Sequence, residues 1–312
     1  MNEQASTPEL TEAVARLSAL LGPRDGGIEP LDGGITNRNF RISFGGNDYM
    51  VRMPGKDTNL LGIDREAEHV AARKAAEIGI GAEVAAVLTD PPCLVTAFVE
   101  GRELSSKELR APDMIAEIAQ GLRRFHDSDL LLSTEFQVAD VAREYANVAR
   151  EREVEPPPEF DSSLERADAI VGAVRGRSEH EPVPCHNDLL QANFLHDGER
   201  VVVVDWEYAG MGDRFFDLGN FSVNNELGDE DEDALLAAYF EEPATPRRRA
   251  ALKLFRFMSD FREAMWGVVQ GSVSDLDFDF GAYASKHFER LARTGEDPRF
   301  EEWLEEARDS SS

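Results

Sequence analysis

Cysteine is nearly absent from this chain. Two occur in 312 residues, Cys93 and Cys185, too few for a disulfide framework or a zinc site built on cysteine. A reducing compartment is therefore expected, the cytoplasm being the simplest. Long apolar runs are missing too. Nothing approaches the roughly 18 consecutive apolar residues of a spanning helix, so no membrane span is expected, and the polar start MNEQASTPEL is unlike a secretory leader. Basic residues are few: 33 against 61 acidic, a net charge of -28, with only five lysines. Such a surface repels phosphates and argues against nucleic acid as a partner. It keeps a protein soluble, and it suits a cationic small molecule. No internal repeat stands out, and nothing speaks to oligomeric state. What remains is ordinary hydrophobic content, 42 %, in a chain long enough for two lobes with their own cores.

Hydrophobic spacing divides the chain. Leu10, Val14, Leu17 and Leu21 fall at helical intervals and predict a helix over 8–22. Phe40, Ile42 and Phe44 alternate with polar residues, Gly45-Gly46-Asn47 marks a turn, and 48–53 resumes as a strand, which predicts a β-hairpin. An Ala-rich helix over 65–78 stops at Gly79 and Gly81, and further strands are expected at 83–88 and 93–101. Beyond Gly101 helical stripes dominate, beginning with Met114, Ile118, Leu122 and Phe125. Further helices are expected over 138–152, 163–175, 230–240, 247–270 and 280–293, with Pro156-Pro157-Pro158 as a surface linker. The acidic tail from about 305 is expected to fray. The expected class is α+β and bilobed. A small β-rich lobe covers 1–97 and a larger, mainly helical lobe 98–312, joined near 96–101.

The densest chemistry lies in HNDLLQANFLHDGERVVVVDWEYAG, from His186 to Gly210. Asp197-Gly198 is a turn signal before the strand 201–205. Folding the segment back on itself sets Asn193 opposite Val204, beside Asp205, with Asp188 on the loop leading in. Carboxylate and amide oxygens are what a hard Mg²⁺ ion prefers, and a separate aspartate can accept a proton from an attacking hydroxyl. Kinase catalytic loops use this order: His-x-Asp, an Asn five residues on, then a later metal-binding Asp. The bland alternative is an ordinary hairpin with short polar caps. Three roles in the right order favour the phosphoryl-transfer reading.

CHNDLLQANFL, then DWEYAG and FDLGN, resembles the choline/ethanolamine kinases within the wider aminoglycoside phosphotransferase group, over about Leu31 to His287. The resemblance implies a protein-kinase-like bilobed fold and ATP-dependent transfer to the hydroxyl of a small amino alcohol or aminoglycoside, with ATP and Mg²⁺ as cofactors. On it, Asp188 matches the catalytic aspartate, and Asn193 with Asp205 the Mg²⁺ ligands. Asp217 matches a second acidic position, on the acceptor side or as a structural acceptor for the catalytic loop. His186 would hold that loop. In GGITN, Gly34 and Asn37 fall in the glycine-bearing phosphate loop, and Arg52 stands where kinases keep a lysine for the α- and β-phosphates. An acid on the following helix should pair with Arg52. Glu68 fits better than Glu66, because it shares a face with Ala71, Ala72 and Ala75. Thr96 to Phe98 would be the hinge whose backbone meets adenine.

The acceptor would lie by Glu207, Tyr208 and Trp266, since aromatic faces and carboxylates hold ammonium groups. Two departures bear on it. Leu190 stands where choline kinases close to the animal enzymes have glutamine, and the helix of Trp266 holds one tryptophan only. The leading expectation is a kinase for a small cationic alcohol, choline or ethanolamine first, then an aminoglycoside, thiamine or another small alcohol. A catalytically silent kinase fold that binds nucleotide is the rival from another class.

Overall fold

The computed structural model describes residues 7–31, 36–56, 58–274 and 276–309. Helix α1 (Pro8–Leu21) starts at Thr7, whose hydroxyl accepts the Leu10 N–H, and buries Leu10, Ala13 and Leu17. Five strands follow it: β1 (Arg24–Leu31), β2 (Asn37–Phe44), β3 (Asn47–Pro54), β4 (Val84–Thr89) and β5 (Pro92–Ala97). They form an antiparallel sheet in the order β1-β2-β3-β5-β4. The expected hairpin is β2–β3, with Phe40 opposite Val51 and Phe44 opposite Asn47. Gly45 and Gly46 both take positive φ at its turn, as a tight right-twisted hairpin requires. Phe40, Ile42, Phe44, Val51 and Val95 pack with the α1 stripe into a small separate core.

The other face of the sheet meets helix α2 (Arg65–Glu77). Asp64 caps it by accepting the N–H groups of Glu66 and Ala67. Its inward face is Ala67, Glu68, Ala71, Ala72 and Ala75. Small side chains let the backbone approach closely, and the four alanines belong to the larger core. Strand β5 ends at Ala97, short of the expected 101. Phe98 makes the last sheet bond, donating to Asp48 O at 2.9 Å, and the chain then crosses to β6 (Arg102–Glu103).

Helices α3 (Ser106–Leu109), α4 (Pro112–His126), α5 (Val138–Glu151) and α6 (Phe160–Val174) come next. Short strands β7 (Val183–Cys185), β8 (Phe194–His196), β9 (Val201–Val203) and β10 (Gly210–Gly212) carry the loop segment. The chain ends with α7 (Arg214–Asn224), α8 (Asp229–Phe240), α9 (Pro246–Val273), α10 (Phe280–Gly295) and α11 (Phe300–Arg308). α9 is 28 residues long and largely buried, the axis on which α5, α7, α10 and α11 pack. Several elements were not anticipated: the strand β1 and the helix α7, and the short pieces β6, α3, β7 and β10. The tail is corrected as well: 300–308 is helical, because Phe300, Trp303, Leu304 and Ala307 form one apolar stripe that packs on α6 and α9. No helix among the described residues is long and apolar enough to cross a membrane.

Candidate active site

Strand β7 delivers the chain into His186-Asn187-Asp188, and side chains from behind hold this loop. Asp217, on α7, is fully buried; its carboxylate accepts the N–H of His186 at 2.8 Å and of Asn187 at 2.7 Å. His126 Nε2 donates to it at 2.9 Å, while His126 Nδ1 faces Tyr239 OH at 2.7 Å. Burial would raise the Asp217 pKa, but the hydrogen bond and charge of His126 and the His186 contacts outweigh it, leaving it below the ordinary value. Asp217 therefore sits behind the loop with both oxygens engaged, and presents no free face to an acceptor. Asn220, also on α7, accepts the Leu189 N–H.

His186 Nδ1 accepts the Asp188 N–H at 3.1 Å, so Nε2 carries the proton it donates to Val204 O at 3.0 Å. Burial holds its pKa below the usual histidine value. One imidazole thus ties the loop 186–188 to the strand that leads to Asp205. Asn187 and Asp205 both adopt positive φ, 66° and 68°. Left-handed non-glycine residues are uncommon and cluster where function needs a particular aim.

The predicted hairpin is present. Phe194 pairs with Val203, and the Val204 N–H reaches Asn193 O at 3.0 Å. Asp197 accepts two N–H groups within the turn, from Glu199 and Arg200. Asn193 Nδ2 donates to Asp188 O at 2.8 Å and faces Asp188 Oδ2 at 3.4 Å. The amide nitrogen is thus engaged by Asp188. The Asp205 side chain is more open than that of Asp188, 26 % exposed against 11 %.

Arg52, on β3, joins the lobes: Nη1 donates to Glu68 Oε1 at 3.0 Å and to Asp205. Burial would lower its pKa, but the charges of Asp205, Glu68 and Glu207 raise it, so it stays cationic. Glu66 is exposed and takes no part. Beside this pair runs a slot lined by Met50, Leu94 and Thr96 from one lobe and Val203, Val204 and Trp206 from the other, with Arg52 and Asp205 also on its wall. Phe98 does not line it; its ring lies under Arg41, with Cζ 4.1 Å from the centroid.

Gly33 and Gly34 lie outside the described residues. The end of the same motif, Thr36-Asn37, meets Glu207: Oε1 accepts from Thr36 Oγ1, and Oε2 from Asn37 Nδ2 at 2.8 Å. Arg65 Nη1 donates to Glu68 Oε2 at 2.7 Å and to Glu207 Oε2 at 3.4 Å, and Nη2 to Asn37 Oδ1 at 2.9 Å. Burial first, and then the charge of Asp205, push Glu207 up to about 7. Glu207 is thus bound into the seam between the lobes.

On the far side of Asp188, the Trp266 indole N–H donates to Tyr208 OH at 2.8 Å, and Tyr208 O accepts from Asn187 Nδ2 at 3.0 Å. Arg262 Nη1 donates to Glu263 Oε1 at 2.8 Å and faces Asp188 Oδ1 at 3.3 Å. Burial pushes Asp188 well above the usual carboxylate range, with Arg262 pulling the other way. The sequence reading missed Arg262, Glu263 and Arg65. A signal was available for the first two: Asp260, Arg262 and Glu263 interrupt the apolar middle of the helix FRFMSDFREAMWGVVQ.

The geometry joins Asp188, Asn193, Asp205, Arg52 and Glu68 in one cleft, with Thr96 on the slot beside it. A sequence profile described as choline/ethanolamine kinase matches residues 28–235. The solved structure of a choline/ethanolamine kinase family protein from Mesorhizobium loti superposes with a TM-score of 0.80 at 31 % identity, covering 96 % of this chain and 98 % of that one. Protein LicA of Haemophilus influenzae is 26 % identical over 265 residues, 82 % of this chain and 76 % of that protein. A probable ethanolamine kinase of Arabidopsis thaliana is 27 % identical over 288 residues, with the same shares covered.

Proposed function

The chain belongs to the choline/ethanolamine kinase family and is a small-molecule kinase with the protein-kinase-like fold; from that premise we propose that it moves the γ-phosphoryl group of ATP to the hydroxyl of a small cationic amino alcohol, of the choline or ethanolamine kind. The observation that carries the reading is the shared geometry of Asp188 and Asn193. One amide nitrogen bonds the aspartate's backbone oxygen at 2.8 Å while the amide oxygen is left free. The base and one ligand are thus set in fixed relation.

In this reading Asp188 accepts the acceptor's hydroxyl proton as oxygen bonds to the γ-phosphorus and the bond to the β-phosphate oxygen breaks, releasing ADP. Arg52, cationic and steered by Glu68, faces the phosphates. The slot beside Thr96 takes the adenine, and Thr36 with Asn37 continues the phosphate loop. Asn193 and Asp205 offer an amide and a carboxylate oxygen, a hard donor set that fits Mg²⁺, and the more open Asp205 is the one a cation can reach. Bound there, the ion would neutralise charge on the β- and γ-phosphates. The acid-rich surface, net charge -28, favours any cationic acceptor.

The test is ADP release from Mg-ATP in the presence of choline, ethanolamine, thiamine and an aminoglycoside. Acceptor-dependent ADP with an amino alcohol is expected. A folded protein that binds ATP and turns over with none of them would point to the silent fold instead.

A further inference from the structure

Helix α9 buries a charged residue where a cationic acceptor would seek its partners. Arg262 is 1 % exposed. Its Nη1 lies between two carboxylates, Glu263 at 2.8 Å and Asp188 at 3.3 Å. Its guanidinium covers the ring of Tyr208, with Cζ 4.2 Å from the centroid. Nε and Nη2 are buried without a hydrogen-bond partner, so the protein packs closely around that edge of the group. Glu263 is held in turn by Tyr283, whose hydroxyl donates to Oε2 at 2.7 Å.

Carboxylates on two sides and an aromatic face on a third are what hold an ammonium head. Here the chain's own cation has all three. We propose that Arg262 is a specificity-determining residue, a resident cation that fills the niche of Asp188, Glu263 and Tyr208 and excludes a quaternary ammonium head from it. A quaternary head cannot hydrogen-bond and depends on aromatic faces, so losing the Tyr208 face to a like charge counts heavily against it. A primary ammonium can take the remaining lone pairs of nearby carboxylates without that face. The inference rests on the kinase reading above and narrows its acceptor to a primary amine.

The experiment has two arms. In the first, tetramethylammonium chloride, which has no hydroxyl, is added to the wild type and to Arg262→Met, with sodium chloride at equal ionic strength as control, and Tm is recorded. The wild type should show no specific shift. The variant, with two buried carboxylates left without their cation, should be stabilised by the added one. A shift in the wild type, or none in the folded variant, overturns the proposal. The second arm compares kcat/KM for ethanolamine and choline. The wild type should favour ethanolamine by about tenfold or more, and Arg262→Met should lose most of that preference. Equal use of choline by the wild type overturns the proposal. If Arg262→Met does not fold, the wild-type measurements and Arg262→Lys, which should keep the exclusion, still decide. Failure of every alcohol to release ADP would count against the kinase reading, while the tetramethylammonium arm still reports on the niche.

Discussion

Asp217→Asn tests the frame behind the loop 186–188. The aspartate accepts two backbone N–H groups, at 2.8 and 2.7 Å, and one imidazole N–H at 2.9 Å, all in the dry interior. Asparagine has the same shape, but only one of its two terminal atoms accepts. Turned to keep His186 and His126, it sets its NH₂ against the Asn187 N–H. That loses one charge-assisted bond, strands a donor and weakens the other two contacts. At about 2 kcal/mol for each such bond, and with the stranded donor counted, the variant should lose ~4 kcal/mol. Unfolding entropy of about 2.1 cal/mol/K per residue makes this ~6 °C in Tm. Because Asn187 adjoins Asp188, kcat should fall as well. The pH dependence has a definite sign. The folded pKa of Asp217 lies below its ordinary value of 3.8, so its contribution is present in full above that value and is lost as pH falls through the folded pKa. The gap in Tm between wild type and variant should therefore shrink in acid. The assay is a thermal melt across pH beside steady-state kinetics. A variant with wild-type Tm and a raised acceptor KM would refute the reasoning and return Asp217 to the acceptor.

Three further variants probe the seam and the helix packing. Glu68→Gln removes the charge that faces Arg52 and Arg65, and should cost ~3 kcal/mol and raise the KM for ATP severalfold; Glu66→Gln, on the exposed side of the same helix, should do neither, and equal effects would undo the assignment. Gly219→Ala places a Cβ 2.6 Å from Phe255 C and 2.8 Å from its O. Since backbone must move, α7 and α9 should separate and stability fall by ~1–3 kcal/mol, read by chemical denaturation; an unchanged midpoint would contradict the close crossing.

Much of the site was legible because local signals placed it. The turn at Asp197-Gly198 and the run of valines fix the register that brings Asn193 beside Val204 and Asp205. The alanine face of α2 identifies Glu68 as the inward acid, since only small neighbours allow a carboxylate to reach Arg52. Other features carry no such signal. Strand β1 is RDGGIEPL, mostly exposed and without alternation, and it exists because β2 offers an edge to pair with. Helix α7 is buried on nearly every side, so it shows no polar face to reveal its period. The Thr36-Asn37-Glu207-Arg65 network joins residues up to 171 positions apart, a closeness that only the docking of the lobes creates. The role of Asp217 was undecided for the same reason: a buried carboxylate beside a catalytic loop reads alike in sequence whether it faces the loop or the substrate.

The central claim is that the hairpin and its loop form one phosphoryl-transfer site with Asp188 as the base. Asp188→Asn keeps the shape of that side chain and leaves Arg52, Asn193 and Asp205 in place. Nucleotide affinity, followed by titration with a fluorescent ATP analogue, should stay within about twofold, while acceptor-dependent ADP release falls by about 10² to 10⁴. An Asp188→Asn enzyme that releases ADP at the wild-type rate would remove Asp188 from the base role and the account with it.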